Sequence, residues 1–542
     1  MDTTTDGAEV DWVVIGSGFG GSVAALRLAE RGYQVAVLEC GRRFRPEDLP
    51  KSSWNLRKYV WMPKLGLRGM LRITMFKDIS IISGSGVGGG SLVYGQTLYR
   101  ATPKFRASLS ESAGIPVDLE PYYDVAERML GVADQPRRST RDAMLISAGQ
   151  SLGIGPDGFH PTRVGVFFGE PGKLVPDPYF GGEGPDRRGC THCGKCMIGC
   201  RDDAKNTLDK NYLHLAERRG VRVLPDSLVT EVRPAGAADG SEGYIVSVRN
   251  PGSWLRRRPR KIRARGVVFA AGAVGTNQLL ADCRASGALP RLSPRVGRDV
   301  RTNAESVGAI TLRDRNTNLT DGVAITGSLL SGDEIHFEAF TLGGVGDAYS
   351  LLLSPLSGDG TQLTRPLKLL GTILRHPLAA IRSHDFRGWS RRSMLLGTMW
   401  NRDGVISLRP KRKRFGRGVR LQTQQDTGIP NPTYIPAMYD MLESLAAKYD
   451  AIPSLWTTEA LNIPFTAHIL GGAVIGATPE TGVIDADHCV YGYHNMLVTD
   501  GSAVPYNPGV NPSLTITALA ERAMSSIPHK NNEIHVGGVG YS

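Results

Sequence analysis

The apolar positions of the first hundred residues come in short runs broken by glycine clusters, which is the pattern of buried strands meeting tight turns. Asp11 to Ile15 (DWVVI) has the length of a buried strand, and the glycine cluster after it opens a helix that runs through Leu28. Val35 to Leu38 (VAVL) supplies a second strand. Ile79 to Ile82 and Ser91 to Tyr94 read as strand-like runs on either side of a second glycine cluster. Much later, Val267 to Ala271 passes through Gly272-Ala273-Val274-Gly275-Thr276 into another helix, so the chain returns to its first domain and the fold is interleaved. No apolar stretch reaches the roughly 18 to 20 residues that cross a bilayer. Met1 to Val10 is polar and acidic, with neither a basic start nor an apolar core, so a cytoplasmic protein is expected.

The first glycine cluster, Gly16-Ser17-Gly18-Phe19-Gly20-Gly21, reads G-x-G-x-x-G between strand and helix. Gly16 permits the turn, Gly18 lets a pyrophosphate approach the backbone, and Gly21 lets the helix pack on the strand. The helix N-terminus then faces the anion. Glu39, at the end of the second strand, stands where a carboxylate accepts from a ribose diol. These parts in order indicate a dinucleotide, without separating FAD from NAD. The second cluster spans Gly84, Ser85, Gly86, Gly88, Gly89, Gly90 and Ser91, and suggests backbone laid flat against a ligand.

With 542 residues, the chain is too long for one core, and two or more domains are expected. Glycine, at 66 residues, is well above the usual share of about 7%. The net charge of +12 is local: thirteen basic residues lie between Leu255 and Arg265 and between Lys411 and Arg420, and the remainder is near neutral. No nucleic-acid-binding motif accompanies them, so nucleic acid is not expected as a partner. Trp254 and Leu255 begin the first run, Phe415 interrupts the second, and Arg365 to Trp400 mixes Leu and Ile with Lys and Arg, which suits peripheral contact with an anionic lipid surface. Solvated hairpin tips are the alternative.

Cys190, Cys193, Cys196 and Cys200 follow the spacing C-x2-C-x2-C-x3-C, by which ferredoxins wrap an iron–sulfur cluster. Structural thiols and a zinc site stay open beside that reading. Cys40, Cys283 and Cys489 are isolated and are read as buried small apolar residues.

At its glycine runs and its carboxy-terminal end the sequence resembles the glucose-methanol-choline (GMC) family of flavin oxidoreductases. Gly16 to Gly21 with Glu39 match the family's FAD site, Gly84 to Ser91 its loop beside the flavin, and Asp500-Gly501 with Gly509-Val510-Asn511-Pro512 its closing flavin motif. Within the family, Ala467-His468-Ile469-Leu470-Gly471-Gly472 and Thr515 to Arg522 are most similar to the bacterial cholesterol oxidase branch. Two positions depart from that branch: Ile469 follows His468 where proline is usual, and Tyr94 stands where an asparagine is usual.

The resemblance implies an α/β fold, a Rossmann-like FAD-binding domain interleaved with an α+β substrate domain on an antiparallel sheet. Residues 1–100, 215–310 and 466–530 are assigned to the first, 101–214 and 311–465 to the second with the cysteine loop 190–200, and 531–542 to a tail. Position 230 (Thr230), Gly272 and Ser513 join the cofactor-binding set. The implied chemistry is oxidation of a hydrophobic secondary alcohol, foremost a 3β-hydroxysterol such as cholesterol, with oxygen or an electron carrier as acceptor. His468 holds or removes the hydroxyl proton, Asn511 orients the hydroxyl, and Glu338 carries a proton for double-bond migration. Trp54 to Phe76 and Leu367 to Trp400 would cover the pocket. A dehydrogenase relaying electrons through an iron–sulfur cluster and a non-catalytic flavin-bearing protein at lipid surfaces are the alternatives.

Overall fold

The computed structural model describes residues 7–253, 259–332, 334–414, 418–426 and 428–532, the side chains of 379, 382 and 383 excepted. Trp254, Leu255, Arg256, Arg257, Arg258, Phe415, Arg417 and positions 533–542 of the tail lie outside the described residues.

Val13 and Val14 have no exposed surface, as a strand covered on both faces requires. Their strand, Ala8–Ile15, pairs in parallel with Val35–Leu38 on one side and Arg260–Phe269 on the other. Arg222–Leu224 and Met496–Val498 extend the parallel region, while Tyr244–Arg249 and Leu228–Pro234 add antiparallel strands beyond Arg260–Phe269. One sheet thus gathers strands from three separated stretches, and the interleaving expected from the sequence is present. Helix Phe19–Glu30 packs on helix Ser513–Ser525, and the partly buried Arg27 guanidinium donates to Glu521 at 2.7 Å and 2.8 Å.

A second seven-stranded sheet is antiparallel throughout, in the order Leu353–Ser354, Ala451–Trp456, Glu305–Leu312, Ser393–Trp400, Ile335–Phe340, Ile325–Ser331 and Phe159–Pro161. Alternation along its strands divides its side chains between two faces. Phe337, Ala339, Met394 and Leu396 pack in a core with Met438, Met441 and Leu442 of helix Pro436–Lys448. The intervening Glu338, Phe340, Leu395, Gly397 and Met399 face a cavity.

Two expectations change here. The run after the second glycine cluster forms a short 3-10 helix, Gly89–Leu92, because Gly88 and Gly89 take positive φ and turn the chain out of the extended form. Leu367 to Trp400 is no single cover: Trp389 is fully buried and Ser393–Trp400 is an interior strand, so only the part before residue 387 stays on the surface. The described basic residues of the two charged runs do lie on hairpins, with Lys411 and Arg412 exposed, and Lys261, Arg263 and Arg265 alternating outward against buried Ile262 and Ala264.

Candidate functional site

A cavity of about 400 Å³ lies between the two sheets. Its first half is made by glycine turns of the parallel sheet. Gly16, Gly18, Phe19 and Gly20 line it, joined by Glu39, Gly84, Gly89, Gly90 and Gly272, and by Asp500, Gly501, Pro512 and Ser513. Gly16 has φ of +103°, which a residue with a Cβ rarely adopts. A Cβ at Gly20 would collide with the Thr499 carbonyl, and one at Gly21 with the Gly16 carbonyl, so this helix lies against the sheet as closely as backbone allows. At Gly18, by contrast, a Cβ would meet nothing within 4 Å, and the residue lines the cavity. Gly18, at the N-cap, has no side chain with which to cap the helix, which leaves its first amides for a ligand. Open space over Gly18 beside this helix end fits the pyrophosphate of a dinucleotide such as FAD.

Glu39 is buried and braces this half. Ser17 donates to its Oε2 through both the amide, at 3.2 Å, and Oγ, at 2.7 Å, while the amides of Gly41 and Gly86 donate to Oε1 at 2.8 Å and 3.2 Å. Gly21, Gly86, Gly88 and Ser91 do not line the cavity. They shape it: the Gly88 amide donates to Ser17 Oγ at 3.1 Å, and Ser91 Oγ donates to the Gly88 carbonyl at 2.7 Å. Asp500 accepts from the Gly272 amide at 2.8 Å and from Thr276 Oγ1 at 2.5 Å, which fixes helix Gly272–Ala285 to the closing turn. Position 230 falls outside the set. Thr230 Oγ1 donates to the Ser247 carbonyl at 3.2 Å, at a register irregularity in the strand between Val229 and Glu231, and the preceding Ser227, Leu228 and Val229 line the cavity instead.

The second half brings His468, Asn511 and Glu338 together beside apolar side chains such as Ile325, Phe340, Leu395 and Phe465. His468 follows the short strand Phe465–Thr466, and its Nδ1 stands 3.1 Å from Glu305 Oε1. Glu305 also accepts from Thr466 Oγ1 at 2.5 Å and from the amides of Ala467 and His468 at 3.0 Å and 3.1 Å. Burial lowers the affinity of the imidazole for a proton, but the charge of Glu305 and its hydrogen bond more than offset this and raise the His468 pKa. Asn303 Nδ2 lies 3.3 Å from the same nitrogen and donates to the Val510 carbonyl at 3.1 Å, linking His468 to the segment that carries Asn511.

Glu338 is buried on strand Ile335–Phe340, and burial raises its pKa to about 7. Asn511 Nδ2 donates to Glu338 Oε2 at 3.4 Å. His336 Nε2 is 3.6 Å from Glu338 Oε1, yet burial lowers the His336 pKa to about 3, so the pair is not an ion pair at neutral pH. The departures seen in the sequence both reach the cavity. Ile469 and Tyr94 line it, and the Tyr94 hydroxyl is turned away to donate to the Asn206 carbonyl at 2.9 Å.

The cysteine loop does not form the expected metal centre. Among the described residues no group of three or more His, Cys, Asp or Glu side chains is placed to hold a metal ion. Cys190 and Cys196 are buried in the core with Val164, Ile198 and Phe340, and the partly buried Cys200 packs against them. Burial pushes the Cys190 thiol up to about 11 and raises Cys196 and Cys200 as well, which keeps them protonated and apolar in character. Cys283 is buried as expected, whereas Cys40 and Cys489 are half-buried and Cys40 lines the cavity.

Glu305, Tyr349, Trp456 and Phe465 also line the cavity and were not apparent in the sequence. Glu305 opens its strand within an ordinary Thr-Asn-Ala-Glu stretch, 163 residues before His468, and nothing local marks that pairing.

Comparison with known proteins agrees with this architecture. The chain is 46% identical over 540 residues to a cholesterol oxidase of Mycobacterium tuberculosis, covering 96% of this chain and 92% of the relative. It is 41% identical over 536 residues to a cholesterol oxidase of Acinetobacter baumannii, covering 97% and 96%. Among solved structures, the fold is similar to pyridoxine 4-oxidase from Mesorbium loti, at a TM-score of 0.62 and 15% identity over 97% of this chain and 100% of that one. It is also similar to formate oxidase, at a TM-score of 0.60 and 15% identity over 96% and 98%. The amino-terminal model of the GMC oxidoreductases matches residues 11–160 and 184–303, and the carboxy-terminal model matches 434–520. Glycine turns that fit FAD, polar side chains that share one cavity with them and these matches along the chain together show that it belongs to the GMC oxidoreductase family of FAD-dependent enzymes.

Proposed function

We propose that this enzyme oxidises the hydroxyl of a hydrophobic secondary alcohol, foremost a 3β-hydroxysterol, to the ketone and moves an adjacent double bond. The observation that carries this reading is the grouping of His468, Asn511 and Glu338 in one cavity with apolar side chains such as Ile325, Phe340, Leu395 and Phe465. Names of relatives as cholesterol oxidases support the substrate class. Bound FAD supplies the acceptor for the hydride. The amides at the start of helix Phe19–Glu30 would hold its pyrophosphate, and Glu39 would accept from its ribose in place of Ser17 Oγ. His468 takes up the hydroxyl proton on Nε2, because Nδ1 is held by Glu305. The Asn511 amide orients the hydroxyl, and Glu338 carries a proton between two carbons. Oxygen is the electron acceptor in this reading, and the cysteine loop takes no part in electron transfer.

The direct test is the flavin absorbance of protein purified without oxygen, before and after detergent-solubilised cholesterol. Bleaching, reversed by air, is the expected result. An intact spectrum with cholesterol, together with bleaching by a smaller alcohol, would overturn the substrate.

Two further outcomes follow from the geometry. Gly18→Val places its side chain in open space, so the protein folds but purifies without the yellow flavin, as an absorbance spectrum and a circular-dichroism melt would show together. Glu305→Gln removes the charge that raises the His468 pKa. His468 acts as a base only when neutral, so the acid limb of the pH–rate profile moves to lower pH. A uniform loss of rate with an unmoved limb would mean that Glu305 only shapes the turn.

A further inference from the structure

Polar side chains normally cover the outer face of a helix, and the segment after residue 360 breaks that rule. Helices Thr364–Arg375 and Pro377–Ser383, with the residue before them, present Leu363, Leu367, Leu370, Leu374, Leu378 and Ile381, each more than half exposed. Their spacing of three and four residues aligns them along one stripe, while Arg365 and Leu369 turn inward and are buried. Eleven of the eighteen exposed large hydrophobic side chains among the described residues fall within residues 54–65 and 363–386, so the exposure is concentrated rather than scattered. The rings of Trp54 and Phe386 meet edge to face at 5.7 Å and join the two segments. A concentrated apolar patch of this kind marks an interaction site.

Charge selects the partner. Residues 49–77 and 360–384 contain no aspartate or glutamate, and Arg57, Lys64, Lys368 and Arg375 are exposed among the apolar side chains. Asp385, beside Phe386, is paired with Arg315 and Arg392. A second copy would bring like charges together. An anionic bilayer offers hydrocarbon to the leucines and phosphate to the cations. The patch also adjoins the cavity: helix Pro377–Ser383 packs on strand Ala451–Trp456, and the hydroxyls of Tyr59 and Tyr349 are 2.6 Å apart, with Trp456 and Tyr349 in the cavity wall.

We propose that this acid-free leucine face, with Trp54 and Phe386 at its junction, docks the enzyme on the surface of anionic lipid bilayers. The leucines enter the acyl boundary and the basic side chains contact headgroup phosphates. The alcohol compartment then adjoins the lipid phase.

The test is co-sedimentation with sterol-free vesicles of phosphatidylglycerol and phosphatidylcholine, against vesicles of phosphatidylcholine alone. Wild-type protein sediments with the anionic vesicles and is released by raised salt. The double variant Leu367→Glu, Leu374→Glu lowers vesicle partitioning at least about tenfold, while FAD absorbance and the rate with detergent-solubilised alcohol are kept. Lys411→Glu with Arg412→Glu, on the basic hairpin, keeps vesicle binding. The proposal fails if wild-type protein ignores anionic vesicles, if the leucine variant still sediments, if the hairpin pair alone abolishes binding, or if the leucine variant instead dissolves a dimer seen by size exclusion. Vesicles without sterol make each outcome independent of the substrate.

Discussion

Replacing His468 with glutamine slows alcohol-driven bleaching of the flavin at least about a hundredfold and leaves FAD bound, because a positioned acid–base group contributes on the order of 10²–10⁴ in rate. Glutamine keeps a polar side chain in the cavity and loses the group that takes a proton. The residues argued to hold FAD are carried by other elements, the turns at Gly16, Gly84, Gly272 and Asp500, and none of them bonds to the His468 side chain. The Glu305 carboxylate keeps its bonds to Thr466 and to the Ala467 and His468 amides, so the turn persists in the variant. The measurement is stopped-flow absorbance under nitrogen with the alcohol in excess, beside the flavin-to-protein ratio. A rate unchanged in His468→Gln removes the imidazole from the mechanism, and loss of flavin from the variant would show that His468 holds the cofactor site instead.

The nucleotide half of this molecule was legible because its chemistry is local. A glycine turn between an apolar strand and a helix has few uses at close range: Gly16 and Gly18 line the cavity, and Gly21 packs its helix against the Gly16 carbonyl. The return of the chain at Gly272 was visible for the same reason. The alcohol half was legible only at His468, Asn511 and Glu338, through the family pattern around them. Glu305 was not, since its partner lies in the turn after strand Phe465–Thr466, far along the chain, and such a contact leaves no mark in either segment. Thr230 failed because the lining stretch stops one residue earlier: Ser227, Leu228 and Val229 reach the cavity, and at position 230 the strand's register shifts and the hydroxyl bonds to the Ser247 carbonyl. The cysteine spacing misled because spacing fixes how far thiols can reach, not where the chain points them. Here the surrounding core claims Cys190 and Cys196. Ser91 to Tyr94 read as a strand from its apolar residues, and the positive φ of Gly88 and Gly89 decided otherwise.

Glu338→Gln separates the two reactions expected of this site. Oxidation of the alcohol persists, because His468 and Asn511 remain, while migration of the double bond falls by roughly a hundredfold or more, the usual scale for a lost proton carrier. The unconjugated ketone then accumulates, and chromatography of the products, with the conjugated enone followed by its ultraviolet absorbance, reads the ratio directly. The geometry suits a carrier: burial raises the pKa to about 7, and Oε1 has no hydrogen-bond partner among the described residues, although His336 stands 3.6 Å away. A carboxyl group with that pKa is protonated at pH 5 and ionised at pH 9, and only the ionised form can accept the first proton. In the wild-type enzyme the share of conjugated product therefore rises with pH through about 7. The buried carboxyl also couples this to stability. Its folded pKa lies above the ordinary 4.5, so the unfolded chain releases the proton more readily, and the contribution of Glu338 to folding is most favourable below about pH 4.5 and declines as pH rises through 7. Glu338→Gln abolishes that decline, so the variant melts at the higher temperature of the two at pH 8, even as it loses the second reaction. A variant with unchanged product ratio would assign the proton transfer elsewhere, and a wild-type ratio flat between pH 5 and 9 would place the ionisation of Glu338 outside that range.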